Sequence, residues 1–278
     1  MKLGICSSAF PKSWSVDEIY AKAKSFGFAG VEWWLSQDGP VNMNSTTEEM
    51  QEIRRTAEKY GMELYSVACT IYWGTSLTDN DLEVRARAKT VLKKQIDVAS
   101  DLGCESILVV PGAVGVDFIA NCSIVDYEAA YERAVEWVEE FKDYAKEKKV
   151  EIAIENVWNK FLLSPMEMRD FIDKADSDYV GAYFDVGNVV YTGYPEQWIR
   201  ILGNRIKKIH LKDFDRSIGN MNGFVKLLEG DVDYRAVMTA LREIHYEGWL
   251  TAEYSFTEET YLDGVQQIID AMRKIVSL

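Results

Sequence analysis

The fold is decided by residues 180–211, which read VGAYFDVGNVVYTGYPEQWIRILGNRIKKIHL. The run 180–185 is apolar and too short for a helix, which is typical of a buried strand. An amphipathic run follows at 195–203, and Pro195 stands where a first helical turn tolerates a missing N–H. A second short strand pattern covers 206–211. Strand, helix and strand in this order predict a βαβ unit with parallel strands.

The same alternation extends along the whole chain. Strand patterns lie at 3–7, 30–35, 63–69, 106–110, 150–155, 180–185, 206–211 and 249–254. Helical patterns lie at 16–26, 46–60, 82–102, 126–148, 165–175, 195–203, 233–244 and 259–276. Eight strands alternating with eight helices favour an α/β fold of the closed (β/α)8 type, the TIM barrel. An open doubly wound sheet is the alternative, but no GxGxxG follows the first strand.

Local signals support these boundaries. Gly27, Gly61 and Gly103 follow the last apolar turn of a helical pattern, where a positive φ lets the chain turn back toward the sheet. Thr46 and Glu49 have the spacing of a capping box at the start of the second helix. No linker, repeat or shift of composition divides the chain, so we expect one domain over residues 1–278.

Composition and charge narrow the classes of function. Apolar residues make up 47% of the chain and aromatic residues 12%, which excludes disorder. With 31 Lys and Arg against 45 Asp and Glu, the formal net charge is −14, which disfavours nucleic acid and anionic membrane surfaces as partners. No run reaches the length of a transmembrane span or a signal peptide. The four cysteines have no CxxC spacing and suggest reduced thiols in a cytoplasmic protein: Cys6, Cys69, Cys104 and Cys122.

Four consecutive predicted strands end in a side chain that can bind metal. These residues are Glu155, Asp185, His210 and Glu253. The working residues of a TIM barrel lie at the carboxyl ends of its strands, and side-chain alternation directs Glu155, Asp185 and Glu253 inward. Lys208 shares the parity of His210, so it must lie near the bottom of the barrel or follow a bulge. Three carboxylates and one imidazole suit one divalent ion, with Mn²⁺ preferred and Mg²⁺, Co²⁺ or Zn²⁺ as alternatives.

The motifs around these residues carry a family resemblance. IENVWNKF (154–161), YFDVGN (183–188), IHLKDF (209–214) and TAEYS (251–255) resemble the xylose isomerase-like barrel superfamily. The branch most similar to them contains D-tagatose 3-epimerase and the L-ribulose- and L-xylulose-5-phosphate 3-epimerases. The resemblance follows the strand order of the whole chain and is most specific in its second half. It implies that the four residues bind one divalent cation and that Glu155 and Glu253 also form an acid/base pair.

The resemblance extends to residues that contact the substrate. Arg216, six residues after His210, matches a substrate-binding arginine of the ketose epimerases. Asn188 stands where some of those enzymes have a substrate-binding histidine, which leaves room for a different or phosphorylated sugar. From its place at the end of the second strand, Glu32 is expected to bond to a sugar hydroxyl or to support a metal ligand, with a structural role as the alternative.

Aromatic and cationic side chains are also expected at the mouth of the barrel. The aromatic set suits the C–H faces of sugars, although core packing is an alternative for each member: Trp14, Trp33, Trp34, Tyr72, Trp73 and Trp158. Asn159 and Lys160, with Lys212 and Arg216, could bind a phosphate. Cys69 ends the third strand, but no histidine is expected beside it, which argues against a nucleophile.

Together these features predict a sugar isomerase or epimerase of carbohydrate metabolism. The preferred function is a divalent-metal-dependent 3-epimerase of a ketose or ketose phosphate, in which two carboxylates move the C3 proton through a metal-stabilised enediolate. Alternatives on the same site are an aldose–ketose isomerase, a polyol dehydratase or a non-catalytic sugar-binding barrel. The DNA-repair endonucleases of the superfamily are disfavoured, because their zinc site needs many histidines and this chain has only two, with a net charge of −14. Family analogy and the aromatic loops favour a homodimer or homotetramer.

Overall fold

Eight parallel strands close into a barrel in the computed structural model, which describes residues 1–278. The barrel strands are β1 (Lys2–Cys6), β2 (Gly30–Leu35), β3 (Ser66–Cys69), β4 (Ser106–Val109), β5 (Glu151–Glu155), β6 (Val180–Asp185) and β7 (Ile206–Leu211), followed, after a small hairpin, by β10 (Trp249–Ala252). The strand β10 pairs with both β7 and β1, which completes the ring. The predicted (β/α)8 barrel is confirmed, and the open sheet is excluded.

Helices follow the strands and cover the barrel. They are α1 (Val16–Phe26), α2 (Thr47–Tyr60), α3 (Leu82–Leu102), α4 (Tyr127–Lys148), α5 (Pro165–Lys174), α6 (Pro195–Leu202), α7 (Tyr234–Glu243) and α8 (Tyr261–Val276). The predicted capping box is present, since Thr46 Oγ1 accepts from the Glu49 amide at 3.2 Å and Glu49 Oε2 accepts from the Thr46 amide at 2.8 Å. Gly27, with φ of 94°, ends α1 in the left-handed conformation that its sequence position predicts. None of the helices combines the length and the apolar character needed to span a lipid bilayer.

Side chains inside the barrel form a layer separate from the main core between strands and helices. Ala68, Leu108, Ala153 and Tyr183 pack together in this interior layer. Lower in the barrel, a Cβ on Gly4 would lie only 2.1 Å from the hydroxyl oxygen of Tyr65, so the position requires glycine. The interior is therefore filled below the strand ends, and open space is confined to the carboxyl end.

Lys208 lies in the interior at the amino-terminal end of the barrel. Its Nζ is 2.8 Å from Glu105 Oε1, and the lysine is only 4% exposed. The register between β6 and β7 shifts here, with Ala182 opposite Ile206 and Tyr183 opposite Lys208. Both expectations for Lys208 therefore hold, and because the shift lies before Lys208, Lys208 and His210 keep the same inward parity.

A small hairpin that the sequence patterns did not predict follows β7. Its strands are β8 (Asp213–Phe214) and β9 (Phe224–Val225), which pair antiparallel. Asp213 fixes the return of the chain, since its carboxylate accepts hydrogen bonds from the amides of Phe214, Leu228 and Val232. The hairpin brings Met221 and Phe224 to the carboxyl end of the barrel.

Candidate metal centre and active site

Glu155, Asp185, His210 and Glu253 converge at the carboxyl end of the barrel. Glu155 and Asp185 end β5 and β6, His210 lies in β7, and Glu253 directly follows β10. One ligand atom from each residue lies within 4.8 Å of the others. Asp185 and His210 are fully buried, and the side chain of Glu253 is 19% exposed. The structure thus brings together the four residues expected to bind metal, and their role as ligands stays a prediction.

Hydrogen bonds to the backbone fix the orientation of Asp185. Asn156 bridges to the main chain of Asp185 twice, donating from Nδ2 to its carbonyl and accepting from its amide, both at 2.8 Å. The amide of Asn188 donates to Asp185 Oδ1 at 2.8 Å. One carboxylate oxygen is therefore held by the protein, while Oδ2 is left facing the cluster.

The polar atoms at the centre of the cluster are buried and face one another. Asp185 Oδ2 and Glu253 Oε2 lie within ion-pair distance of Lys212 Nζ, and His210 Nδ1 lies 2.9 Å from Glu253 Oε2, but none of these contacts has hydrogen-bond geometry. Buried polar atoms without hydrogen bonds are costly, and the convergence of carboxylate oxygens with an imidazole nitrogen fits a bound cation. The oxygen-rich donor set is also chemically suited to a divalent ion. The residues present therefore fit the metal that the sequence predicts.

A buried network beneath the cluster supports His210. Its Nε2 lies 2.8 Å from Glu32 Oε1, and the other oxygen of Glu32 accepts from the Tyr183 hydroxyl. Cys6 Sγ donates to Glu32 Oε1 at 3.2 Å. Burial favours a low pKa for His210, but the charge of Glu32 and the neighbouring Cys6 and Glu253 raise it well above the usual range. Glu32 is fully buried with both oxygens occupied, so in this arrangement it supports a candidate ligand, which is one of the roles expected for it, and its contact with a sugar stays a prediction.

Lys212 is expected from the sequence to help bind a phosphate at the mouth, but the structure places it between two candidate metal ligands. Its Nζ lies 3.1 Å from Asp185 Oδ2 and 2.6 Å from Glu253 Oε2. Burial would lower its pKa, but the carboxylates of Asp185, Glu253 and Glu155 raise it well above the usual range. The sequence held a signal, because Lys212 follows His210 by two residues and so shares its inward parity.

The two candidate acid/base carboxylates have opposite electrostatics. Burial, followed by the charge of Glu253, raises the pKa of Glu155 to about 8. Burial also acts to raise the pKa of Glu253, but Lys212 and His210 outweigh it and hold that pKa well below its usual range. Unless a metal ion is bound at the site, Glu155 therefore holds a proton near neutral pH while Glu253 is ionised.

The cluster opens into a small cavity of about 160 Å³, which we call the inner cavity. Glu155, Glu253, Lys212 and Asn188 supply its polar lining. Its aromatic lining is Trp34, Trp73, Trp158, Phe118 and Phe224. Cys69 also lines this cavity, and burial raises the pKa of its thiol to about 12, which does not suit a nucleophile.

Comparison with known proteins identifies the fold family. A family model described as "Xylose isomerase-like TIM barrel" matches residues 20–275. The chain belongs to this family. A similar protein, "Putative L-ribulose-5-phosphate 3-epimerase SgbU" from Haemophilus influenzae, is 24% identical over 286 residues, covering 99% of this chain and 95% of that protein. Inosose dehydratase 2 from Bacillus cereus is 24% identical over 278 residues, covering 91% and 89%.

Solved structures of sugar epimerases share this architecture. The structure of D-psicose 3-epimerase with D-tagatose from Clostridium cellulolyticum superposes with a TM-score of 0.81 at 18% identity, over 99% of both chains. At this level of identity the likeness establishes the fold. The substrate contacts of this family member therefore have to be argued from its own side chains.

Three of the six aromatic residues expected at the mouth lie elsewhere. Trp33 Nε1 donates to the Tyr20 hydroxyl at 2.7 Å, toward α1. Trp14 packs edge-on against Tyr261 with ring centroids 4.9 Å apart. Tyr72 donates to Gln95 on α3 at 2.8 Å. These residues belong to the outer core, while Trp34, Trp73 and Trp158 line the inner cavity as expected.

The expected phosphate-binding patch does not form. Arg216 Nε donates to the Val190 carbonyl at 2.8 Å, and its Nη2 contacts the Gly193 carbonyl at 3.3 Å. Arg216 lines neither the inner cavity nor the larger cavity beside it, and its contact with a substrate stays a prediction. Lys160 pairs with Asp117 at 2.6 Å.

Asn159 does not line the mouth of the barrel, because its side chain makes hydrogen bonds that stabilise the loop after β5. Its Nδ2 donates to the Gly112 carbonyl at 2.8 Å, and its Oδ1 accepts from the Phe161 amide at 3.1 Å. Trp158 and Asn188 keep their expected places at the cavities, and Trp158 Nε1 donates to the Asn188 carbonyl at 2.8 Å. Contact of Trp158 and Asn188 with a substrate stays a prediction.

Proposed function

We propose that this chain is a divalent-metal-dependent 3-epimerase of ketoses. The observation that carries the proposal is the pair of carboxylates, Glu155 and Glu253, that line one small aromatic cavity beside Asp185 and His210. Relatives that span nearly the whole chain include a protein named as an L-ribulose-5-phosphate 3-epimerase. An enzyme of the isomerase and epimerase class agrees with both observations.

Glu155, Asp185, His210 and Glu253 would hold the ion. A divalent cation at this site would supply Lewis-acid polarisation of the carbonyl and hydroxyl oxygens of a bound ketose. Of the candidate ions, we propose Mn²⁺, because the donor set is three carboxylates and one imidazole. Elemental analysis of the purified protein, with one equivalent of metal per chain expected, tests this assignment.

Glu155 and Glu253 would move the C3 proton. They come from strands separated by β6 and β7 in the barrel, so a sugar in the inner cavity lies between them. One carboxylate removes the proton at C3 from one face, and the other delivers a proton to the opposite face, which inverts that carbon. Because the reaction is reversible, each carboxylate is the base in one direction and the acid in the other.

Neighbouring residues would orient these carboxylates and exclude water. Asn188 Nδ2 donates to the Asn156 carbonyl at 2.9 Å and lies 3.4 Å from Glu155 Oε1. Lys212 lies 2.6 Å from Glu253 Oε2. The rings around the inner cavity keep the proton transfer away from bulk solvent and suit the C–H faces of a sugar.

Hydrogen exchange in D₂O tests the proposal directly. With a ketose substrate we expect deuterium at C3, and Glu155→Gln or Glu253→Gln should each slow its entry by at least about 100-fold. Glu151→Gln is the matched control, because Glu151 lies at the opposite end of β5 and pairs with Lys207. Near-normal exchange in either variant of the pair would remove that residue from the proton transfer.

A dehydratase is the second candidate, favoured by the Bacillus cereus relative named as an inosose dehydratase. It would use the same carboxylates to remove a proton beside a carbonyl and to protonate a departing hydroxyl. Loss of water from a cyclic keto-polyol, followed by mass spectrometry, distinguishes it from an epimerase. Deuterium entry at C1 or C2 would indicate an aldose–ketose isomerase, and binding of sugars without turnover would indicate a sugar-binding barrel.

A further inference from the structure

A second and larger cavity adjoins the inner cavity. Its volume is about 440 Å³, against about 160 Å³ for the inner one, and we call it the outer cavity. Both cavities are lined by Phe118, Val157, Trp158, Asn188 and Met221, so they adjoin each other. The inner cavity alone is on the scale of a single sugar ring. The combined space exceeds what a free monosaccharide would fill.

The lining of the outer cavity is aromatic and amide-rich. Trp158, Phe161 and Tyr191 supply rings, and exposed amides come from Asn220 and Asn222. Rings that stack on C–H faces, together with amides that bond to hydroxyls, are the chemistry that recognises an uncharged sugar ring. Of these rings, Tyr191 is 52% exposed.

Exposed apolar side chains gather at the same place. Phe118, Leu163, Tyr191 and Met221 all line the outer cavity, although each is more than one-third exposed. A cluster of exposed apolar side chains of this kind is typical of a binding site for a ligand or another molecule. Because the outer cavity adjoins the inner cavity that Glu155 and Glu253 line, the substrate itself is favoured as the molecule that covers these side chains.

The charges around the outer cavity do not suit a phosphate. Asp117 and Lys160 are its only charged residues, and they pair with each other at 2.6 Å. The Arg216 guanidinium is engaged by backbone carbonyls, and Lys212 lies between two carboxylates. Proteins bind a phosphate ester with cationic side chains or with several N–H donors. Each cation that lines the two cavities already lies beside a carboxylate.

We propose that the outer cavity is a subsite for an uncharged sugar ring attached to the far end of the ketose, so that the substrate is a glycosyl-ketose and not a ketose phosphate. The inference rests on the proposed function, which puts C2 and C3 of the ketose at Glu155 and Glu253. Carbons 4 to 6 are then the part of the sugar that extends toward Trp158 and the outer cavity.

Four commercial ketoses test the inference by C3 deuterium exchange with the metal-loaded enzyme. The panel is isomaltulose, lactulose, fructose and fructose 6-phosphate. We expect kcat/KM for isomaltulose or lactulose to exceed that of fructose and of fructose 6-phosphate by at least tenfold. Equal rates for the disaccharides and fructose, or a preference for the phosphate, would overturn the subsite while leaving the 3-epimerase intact.

Binding keeps the test independent of turnover. If none of the four sugars exchanges at C3, the proposed function fails, and the subsite is then judged by titrating isomaltulose and fructose against the tryptophan fluorescence of the same protein. Tighter binding of isomaltulose by tenfold or more supports the subsite. Equal binding overturns it.

A substitution that fills the outer cavity gives a second test. Thr192 is exposed and lines that cavity but not the inner one, so Thr192→Trp should reduce the isomaltulose-to-fructose ratio of kcat/KM by at least fivefold. Leu262→Trp adds the same ring at an exposed position on α8 that lines neither cavity and should preserve the ratio. An unchanged ratio in Thr192→Trp, or a change of oligomeric mass in place of a change of ratio, would assign this face to something other than substrate.

Discussion

His210 Nε2 lies 2.8 Å from Glu32 Oε1, and both side chains are completely buried. The contact occupies the far nitrogen of the ring, so the near nitrogen, Nδ1, faces Glu253 Oε2 at 2.9 Å and Asp185 Oδ2 at 3.9 Å. A carboxylate behind a histidine fixes its tautomer and raises its basicity as a metal ligand. Glu32 therefore determines which nitrogen His210 presents to the cluster.

The first prediction concerns this support. Glu32→Gln should weaken divalent-metal binding about 10- to 100-fold, because the ring loses its charged partner. Titration calorimetry with Mn²⁺ measures the effect. Glu63→Gln, which removes an exposed carboxylate paired with Lys2, is the control and should leave the affinity unchanged. An unaltered Kd in Glu32→Gln would make its contact with His210 purely structural.

The second prediction concerns Lys212, whose ammonium lies between Asp185 and Glu253. Lys212→Met leaves these buried carboxylates to repel each other, so the metal-free protein should lose up to about 3 kcal/mol of unfolding free energy. Added Mn²⁺ should raise the melting temperature of the variant more than that of the parent, because the ion replaces the missing charge.

Lys207→Met provides the comparison for Lys212. Lys207 pairs with Glu151 at 3.0 Å, is similarly shielded, and lies at the opposite end of the barrel. This variant should lose some stability but show the parent's melting shift with Mn²⁺. Equal metal-induced shifts in the Lys212 variant and the parent would show that the lysine and the metal do not act on the same carboxylates.

The third prediction concerns metal removal. Dialysis against EDTA should abolish C3 exchange, and Mn²⁺ or Co²⁺ should restore it, because the proposed proton transfer needs Lewis-acid polarisation of the ketose by an ion held among the four clustered residues. The circular dichroism of the chelated protein should remain that of a folded barrel, since the core lies below the strand ends. Full exchange in the presence of chelator would reject a metal-dependent reaction.

The barrel could be predicted because local sequence signals mark where its strands and helices begin and end. The strands near 180–185 and 206–211 are short and flanked by turn signals, and helices such as α2 begin and end with capping residues. The hairpin of β8 and β9 was missed because two-residue strands have no periodicity to detect. Its position depends on Asp213, whose contacts with later amides are long-range.

The site could be predicted only where the strand register determines it. Glu155 and Asp185 lie on strands and Glu253 directly follows one, and side-chain alternation predicts the inward direction that brings them together. Arg216 lies on a loop, and the conformation of that loop turns its guanidinium toward the Val190 carbonyl. Glu32 lies within β2, and its depth beneath His210 depends on how the strands are staggered.

The fourth prediction concerns pH and a surface network between α3 and α4. Asp97 accepts from Lys93 at 2.7 Å and lies 3.0 Å from Lys148, and Tyr144 also donates to it. Burial acts to raise the pKa of Asp97, but these hydrogen bonds outweigh burial and lower it. Its folded pKa is thus below the unfolded value of about 3.9, so it stabilises the fold above that pH and loses the effect as pH falls.

Unfolding free energies across pH test this network. Asp97→Asn should cost about 1 kcal/mol near pH 7, a modest value because the carboxylate is partly exposed and screened. The difference from the parent should shrink as the pH falls below about 4. Asp101→Asn, which removes another carboxylate of α3 and keeps an acceptor for the Thr47 hydroxyl, is the control. A constant gap for Asp97→Asn would mean that packing, not charge, is responsible.

The central claim is that Glu155, Asp185, His210 and Glu253 together bind one divalent ion. Anomalous diffraction from crystals soaked in Mn²⁺ tests it most directly, with Asp185→Asn crystals as the comparison. We expect one strong anomalous peak in the parent, in contact with all four side chains, and a weakened or absent peak in the variant. A map with no peak among these residues, or with the ion bound elsewhere, would contradict the account.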